Sequence, residues 1–129
     1  MRKSAPVRTQ LDRQRRGAQA EERAALLLRQ AGYDIVARNF RCRVGELDIV
    51  ARRGAVLIIA EVRLRSSTQF GGAAGSITAA KRTRIVRAAR CLLMRRPGLA
   101  RLAVRFDTLL LSSSAGPIEW IEAAFDGGR

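Results

Sequence analysis

The segment Ala55–Arg65 constrains the fold more than any other part of the chain. Its first half contains the unbroken apolar run Val56–Ala60, which is typical of a central β-strand covered on both faces. Its second half turns charged, and Glu61, Arg63 and Arg65 share one face because side chains alternate along a strand. The segment therefore predicts a layered sheet whose central strand ends in a cluster of charges.

The surrounding periodicity predicts the rest of that sheet. Apolar residues recur at helical or alternating spacing, and a tight turn at Arg53 and Gly54 joins two of the strands. The predicted elements, in order, are a helix Gln19–Ala31, strands Tyr33–Arg38, Glu46–Arg53 and Ala55–Arg65, a loop Ser66–Ser76, a helix Thr78–Arg96, a strand Arg101–Leu111 and a short edge strand Ile118–Ile121. This order predicts an α/β fold with a mixed central sheet flanked by helices.

The chain divides into one domain and two short ends. A length of 129 residues with 47% hydrophobic side chains suits a single domain, which we place at residues 17–125. Residues 1–16 are basic and poor in large apolar side chains, so we expect a flexible basic arm. The arm either seeks phosphates or only keeps the protein in solution. Residues 126–129 form a C-terminal tail.

The charge balance indicates a polyanionic partner. Lysine and arginine number 25 against 11 acidic residues, which gives a net charge of +14. Nucleic acid is the leading candidate, because basic side chains release condensed counterions when they bind phosphates. An anionic membrane surface is the alternative, although no apolar run reaches the roughly 20 residues that cross a bilayer. The N-terminus lacks the apolar core of a signal peptide, so we expect a cytoplasmic protein.

The absence of histidine excludes several classes of enzyme. There can be no Ser–His or Cys–His nucleophile pair and no histidine-bound zinc. Catalysis would have to use carboxylates, lysine, arginine, hydroxyls and a metal held by oxygen. Cys42 and Cys91 lack the spacing of a redox or zinc motif, and we expect two reduced, partly buried thiols. A redox or metal role for them is the alternative.

Carboxylates on the two hairpin strands form the most informative pattern. A hairpin turning at Arg53 and Gly54 brings Asp48 and Glu61 together where the strands end, with Glu46 beside them. Converging carboxylates repel, and a divalent cation bound by oxygen relieves the repulsion. The alternative is a solvated strand end with salt bridges. Alternation places Glu46, Asp48 and Val50 on one face of the second strand and Leu47, Ile49 and Ala51 on the other.

One further carboxylate belongs to an apolar helix face. Glu21 lies on the side of the first helix that carries Ala24, Leu27, Leu28 and Ala31, so it points inward. An unpaired buried charge is costly, so Glu21 needs a partner. It either pairs with one of the many arginines or takes part in a metal or water site.

A long basic stretch follows the central strand. From Arg63 to Phe106 there are eleven basic residues and no acidic one, and Arg84, Arg87, Arg90 and Arg95 lie along one face of the second helix. We expect this face to bind phosphates. Aromatic residues make up only 5% of the chain. This favours contacts with the phosphate backbone of a duplex or branched nucleic acid over stacking on single-stranded bases. Lys81 either reaches a phosphate or is an ordinary surface lysine.

Several ordered motifs resemble those of a known family. They are Gly45-Glu46-Leu47-Asp48, Ala60-Glu61-Val62-Arg63-Leu64-Arg65, Gln69-Phe70-Gly71, Thr78-Ala79-Ala80-Lys81, Arg105-Phe106-Asp107 and Ala124-Phe125. Over about residues 17–125 the chain resembles the YraN-like family of uncharacterised bacterial proteins. That family is regarded as restriction-endonuclease-like and similar to archaeal Holliday-junction resolvases. The resemblance implies a core of order α-β-β-β-α-β and a nuclease pattern of Asp followed by (Asp/Glu)-x-Lys.

The resemblance also assigns roles to residues. It implies that Asp48 and Glu61 bind Mg²⁺ or Mn²⁺, that Glu21 completes the metal site, and that Arg63 and Lys81 contact the scissile phosphate. The residues expected to bind nucleic acid are Arg41, Arg43, Arg65, Lys81, Arg84 and Arg87. Arg63 stands where the family has lysine, and an arginine cannot act as a base.

Two functions follow from this sequence. The first is a metal-dependent endonuclease acting on DNA in preference to RNA, with branched DNA included. The second is a non-catalytic DNA- or RNA-binding module that keeps the nuclease scaffold. The resemblance permits a homodimer, because resolvase-like nucleases commonly act as dimers.

Overall fold

The residues that the structure describes form two α-helices and five strands, with a short 3₁₀ helix Pro97–Leu99 after the second α-helix. The structure, a computed structural model, describes residues 4–64, 77–112 and 116–127, and of residues 4–13 and 16 it describes the backbone alone. The elements are α1 Ser4–Gln30, β1 Asp34–Cys42, β2 Gly45–Arg53, β3 Val56–Leu64, α2 Ala79–Arg95, β4 Ala103–Leu111 and β5 Ile118–Phe125. The predicted loop Ser66–Ser76, its motif Gln69-Phe70-Gly71 and the candidate Arg65 lie outside the described residues.

All five strands belong to one mixed sheet, as the sequence predicts. The strand order is β1-β2-β3-β4-β5, in which β3 and β4 run parallel and the other neighbours run antiparallel. The parallel step requires a crossover, and α2 lies within it. The central strand is β3, and its residues Leu57–Ala60 are fully or almost fully buried.

The two helices cover opposite faces of the sheet. Ala24, Ala25 and Leu28 of α1 pack in one core cluster with Ile58 and Ala60 of β3. The other cluster joins the α2 side chains to the remaining face of β3; its members from these elements are Ile85, Ala88, Ala89, Leu92, Leu57 and Ile59. The chain is therefore a helix–sheet–helix sandwich, and β3 is covered on both sides because its alternate residues serve different cores.

The first helix begins earlier than its sequence pattern predicts. It starts at Ser4 instead of Gln19, so the segment expected to be a flexible arm continues the helix. Gln, Ala and Arg favour helix, and Pro6 is tolerated because it falls in the first turn. The boundary between an arm at residues 1–16 and a domain at residues 17–125 stays a prediction.

The last strand is longer than expected. The sequence predicts Ile118–Ile121, whereas β5 runs to Phe125 across a break in its pairing with β4 between Phe106 and Thr108. Ala123 has a φ of 50° at this bulge, and its N–H donates to the Asp107 carboxylate at 3.0 Å. The side chain thus replaces a backbone acceptor and lets the strand continue past the bulge.

No helix in the described ranges is long and apolar enough to cross a membrane. Cys42 and Cys91 are free and half-buried, as expected.

Candidate functional site

The carboxyl groups of Asp48 and Glu61 meet where β2 and β3 stop pairing. The backbone ladder between these strands ends at the pair Ile49 and Ala60, so the next residue on each strand is Asp48 and Glu61. The Asp48 side chain accepts the N–H of Val62 at 2.8 Å in place of a backbone carbonyl. The two carboxyl groups lie close enough for each to shift the pKa of the other. The structure therefore brings together the two carboxylates at the centre of the sequence prediction.

The predicted alternation along β2 is interrupted at Asp48. The sequence places Leu47 and Ile49 on one face, but Leu47 packs in the α2 core and Ile49 in the α1 core. The partners of these two residues on β1 are Phe40 and Arg38, so Asn39 lies opposite Asp48.

Asn39 has a φ of 52°, a left-handed conformation that is uncommon for residues other than glycine. Alternation depends on extended backbone, and a left-handed residue disrupts it on the neighbouring strand. Asp48 is thus free to turn toward β3, where its carboxylate bonds to Val62. The local distortion is part of how the site is built.

Burial raises the pKa of both central carboxyls. Burial and the nearby Asp48 raise the pKa of Glu61 to about 8, against an ordinary value of 4.5. Burial also raises the pKa of Asp48, although the hydrogen bond from Val62 lowers it. With raised pKa values, this pair of a buried Glu61 and a half-buried Asp48 favours binding a proton or a cation over carrying two negative charges.

The start of α2 places a lysine beside this pair. Lys81 Nζ lies 3.8 Å from Glu61 Oε1, and the Lys81 side chain is 45% exposed whereas that of Glu61 is 3% exposed. The position of Lys81 is fixed by the helix start, because Thr78 Oγ1 accepts its backbone N–H at 3.1 Å. Lys81 is thus a half-exposed cation beside the buried Glu61 carboxylate.

Glu21 reaches the same region from α1. Its pKa is raised by burial and by Asp48, and lowered by a hydrogen bond from Asn39 and by Arg38. Arg38 Nη2 lies 3.9 Å from Glu21 Oε1. Glu21 is therefore paired with an arginine and lies near Asp48, and its place in a metal or water site stays a prediction.

The donor set suits a hard cation at the two central carboxylates. Within the described residues no three carboxylate, cysteine or histidine side chains are close enough to form a ready-made metal cage. Glu61 Oε2, however, is buried without any hydrogen-bond partner, and an orphaned carboxylate oxygen is an available ligand. Asp48 and Glu61 therefore fit a cation as a pair, with Glu21 nearby in the field of Asp48.

A basic pocket opens next to the carboxylates. The cavity has a volume of about 390 Å³; its lining residues are Arg41, Cys42, Arg43, Val44, Gly45, Glu46, Lys81, Arg84 and Ile85. Four of these side chains are cationic, and Arg41 pairs with the exposed Glu46 at 3.6 Å. The β1–β2 turn and α2 approach closely here, because a Cβ on Gly45 would lie 2.7 Å from the Arg84 carbonyl oxygen. We call this cavity the basic pocket.

The remaining predicted phosphate contacts lie elsewhere. Arg87 lines a second groove on the other flank of α2 with Arg82 and Arg90, so it does not share the basic pocket with Arg84. Helical geometry explains the separation, because residues three apart on a helix differ by about 60° in direction. Arg63 follows Glu61 on β3 and is half-buried.

Three polar residues have no role predicted from the sequence: Asn39, Asp107 and Thr108. Asp107 stands in a motif that supports the resemblance, and Asn39 lies on β1 opposite Asp48. Thr108 is fully buried on β4 directly beside Glu61. A polar residue inside the apolar run of a predicted strand was the available signal for Asp107 and Thr108.

Comparisons with known proteins identify the family. The profile of the uncharacterised protein family UPF0102 matches residues 20–111. A UPF0102 protein of Nitrosomonas europaea is 46% identical over 112 residues, which cover 86% of this chain and 93% of that protein. A UPF0102 protein of Cupriavidus taiwanensis is 49% identical over 116 residues, covering 88% and 85% respectively. The chain therefore belongs to the UPF0102 family, the YraN-like family that its motifs resemble.

Proposed function

We propose that this protein is a divalent-metal-dependent nuclease that hydrolyses phosphodiester bonds, in DNA rather than RNA. The observation that carries the proposal is the pair of a half-buried Asp48 and a buried Glu61. The Lys81 ammonium lies 3.8 Å from one Glu61 oxygen, and the other Glu61 oxygen has no hydrogen-bond partner among the described residues. Such a pair is costly to bury without a cation, and it lies beside a pocket lined by four basic side chains. Acidic ligands beside basic phosphate contacts are what a metal-assisted phosphodiester cleavage needs.

Each residue of the site has a role in this proposal. Asp48 and Glu61 would hold Mg²⁺ or Mn²⁺, and Glu21 would complete the ligand set from α1. A bound cation of this kind activates water and offsets charge on the scissile phosphate. Lys81 and Arg63 would contact that phosphate. Arg63 stays protonated at neutral pH, so its contribution is charge and not proton transfer.

The basic pocket would hold the phosphates that flank the scissile bond. Arg41, Arg43 and Arg84 line it next to Lys81, so a bound backbone would run from the pocket to the carboxylates. The family's restriction-endonuclease-like description extends the proposal to branched DNA and to a homodimer that acts on two strands. A cytoplasmic location belongs to the same proposal.

A cleavage assay tests the proposal directly. Plasmid, single-stranded and four-way-junction DNA are incubated with the protein in Mg²⁺, in Mn²⁺ or in EDTA. We expect cleavage only with metal, and a loss of about 100-fold or more in Asp48→Asn and Glu61→Gln, because each removes a charged metal ligand. Cleavage by Asp48→Asn at the wild-type rate would contradict the proposal, and so would the absence of cleavage on every substrate.

A second function is favoured by one observation. Arg63 occupies the position of the family's lysine, so the scaffold could bind nucleic acid without turnover. A parallel assay on Arg63→Lys separates the two functions. DNA cleavage by the variant alone indicates that the wild type is a binding module, in which Arg63 prevents turnover. Activity in both proteins shows that arginine suffices.

A further inference from the structure

Two buried polar atoms without partners lie on neighbouring strands. Glu61 Oε2 and Thr108 Oγ1 are both shielded from solvent, and neither has a hydrogen-bond partner among the described residues. Glu61 is 3% exposed and Thr108 is completely buried. Native proteins rarely leave such atoms unpaired, because a buried unpaired polar group loses its bonds to water without replacement.

The strand register places the two side chains next to each other. Glu61 on β3 and Thr108 on β4 are direct partners in the parallel pair. The flanking pair Ile59 and Phe106 packs in the α2 core, and side chains two positions along a strand point to the same face. Glu61 and Thr108 therefore stand side by side on the α2 face, on strands that run about 4.8 Å apart.

One water molecule would satisfy both atoms. Two polar groups too far apart for a direct hydrogen bond are commonly bridged by a buried water, which can both donate and accept. We propose that Glu61 Oε2 and Thr108 Oγ1 bind the same buried water molecule, and that Thr108 is thereby a positioning residue for the Glu61 carboxylate.

The consequence for the site follows from the other contacts of Glu61. Oε1 faces Lys81 at 3.8 Å, so a water on Oε2 restrains the second oxygen and fixes the plane of the carboxylate. A carboxylate oxygen has two lone pairs, which leaves one for a cation. This consequence for a cation rests on the proposed function, whereas the water itself does not. Partners that orient metal ligands typically change metal affinity by about 10- to 100-fold.

A crystal structure of the metal-free full chain tests the water. In the wild type we expect an ordered water within hydrogen-bonding distance of both Glu61 Oε2 and Thr108 Oγ1. In Thr108→Val, which keeps the shape and removes the hydroxyl, this water is lost or displaced. Electron density that shows no water between the two atoms in the wild type overturns the proposal, whatever the protein's activity.

Calorimetric titration with Mn²⁺ tests the positioning role. We expect Thr108→Val to bind about tenfold more weakly than the wild type, and Thr108→Ser to keep most of the affinity because it keeps the hydroxyl. The control is Thr83→Val, which removes an exposed hydroxyl that donates to the Ala79 carbonyl of its own helix.

Each other outcome has a defined meaning. Wild-type affinity in Thr108→Val overturns the positioning role, and so does an equal loss in Thr108→Val and Thr108→Ser, which would point to packing of the methyl group. No Mn²⁺ binding by the wild type contradicts the proposed function and the positioning role, while the crystal structure still decides on the water. Thermal denaturation of each variant confirms that it is folded before titration.

Discussion

The neighbours of the Asp107 carboxylate differ in kind from those of the pair Asp48 and Glu61. Asp107 is fully buried and accepts hydrogen bonds from Arg105, from Trp120 Nε1 at 2.8 Å and from the Ala123 N–H at 3.0 Å. Its charge is matched by an arginine, so it works as a structural anchor for β5. Asp48 and Glu61 instead face each other, and one oxygen of Glu61 has no partner. At the level of single residues, the set of partners separates the structural carboxylate from the candidate reactive pair.

The raised pKa of Glu61 predicts a pH dependence of stability. Its folded-state pKa is about 8 and its ordinary value is 4.5, so the folded protein keeps this proton where the unfolded chain loses it. The contribution of Glu61 is fully present below pH 4.5 and is lost as the pH rises to about 8. We expect Glu61→Gln, which cannot ionise, to exceed the wild type in stability by about 2 kcal/mol above pH 8.

Thermal denaturation followed by circular dichroism from pH 4.5 to 9, in EDTA, measures this effect. The difference between variant and wild type is expected to shrink toward pH 4.5. Glu46→Gln is the matched control, because the Glu46 side chain is 61% exposed and no such change is expected there. A constant difference at all pH values would argue against a raised pKa.

Asp107→Asn should weaken the fold. The variant leaves the Arg105 guanidinium without its charged partner and turns an amide N–H toward the donors of Trp120 and Ala123. We expect a loss of about 3 kcal/mol in the free energy of unfolding, the usual cost of breaking a buried ion pair. Urea denaturation measures it. Glu122→Gln is the control, since Glu122 is an exposed partner of Arg105 at 3.6 Å, and an equal loss there would contradict the anchoring role.

The wall of the basic pocket forms where the start of β2 packs against α2. The start of β2 lies against the backbone of α2, and the pocket takes arginines from the β1–β2 turn and a lysine and an arginine from α2. The orientation of α2 is set by its buried side chains Ile85, Ala88, Ala89 and Leu92. Burial of the apolar face of α2 also fixes the direction of its charged face. The basic side chains of α2 are thereby placed at the pocket.

Gly45→Ala should separate these elements. The added methyl group would lie 2.7 Å from the Arg84 carbonyl oxygen, which belongs to rigid helix backbone, so β2 or α2 must shift. We expect a loss of about 2 kcal/mol in the free energy of unfolding, as for other overpacked sites. Chemical denaturation measures it. Gly98→Ala is the control, because a Cβ there meets no atom within 4 Å, and equal stability of the two variants would contradict the close approach.

Across the whole molecule, basic surface side chains surround the two central carboxylates, Asp48 and Glu61. The net charge is +14, and in the described structure basic side chains line grooves on both flanks of α2, while the buried Glu61 and the half-buried Asp48 lie beside one of them. Long-range attraction would bring a polyanion to the surface, and the basic pocket would align it over the carboxylates.

The salt dependence of DNA binding should report the basic pocket. We expect the wild type to lose affinity steeply as salt rises, and Arg84→Ala to reduce the slope of log K against log salt by about 1, because one phosphate contact is removed. Fluorescence anisotropy in EDTA measures it. Arg101→Ala, an exposed arginine before β4, is the control with the same change of net charge. Equal slopes for the two variants would indicate that the pocket does not contact the backbone.

Local patterns were sufficient for most elements of the fold. The apolar run Val56–Ala60 forms the central strand, and the spacing of Ala24 and Leu28 identifies the buried face of α1. Such patterns are readable because burial imposes a period of 2 on strands and 3.6 on helices. The start of α1 at Ser4 was not predicted, since a polar basic segment has no apolar periodicity to reveal a helix.

The order of residues was enough to predict that Asp48 and Glu61 end the two hairpin strands. It was also enough to predict that basic side chains lie near them, as those of the basic pocket do. It could not determine that a left-handed Asn39 turns Asp48 toward β3, that Arg84 and Arg87 face different grooves, or that Thr108 lies beside Glu61. These relations join residues far apart in the chain, and they depend on register, bulges and helix rotation. Only tertiary packing fixes those quantities, because side-chain volumes from distant segments must fill one common core.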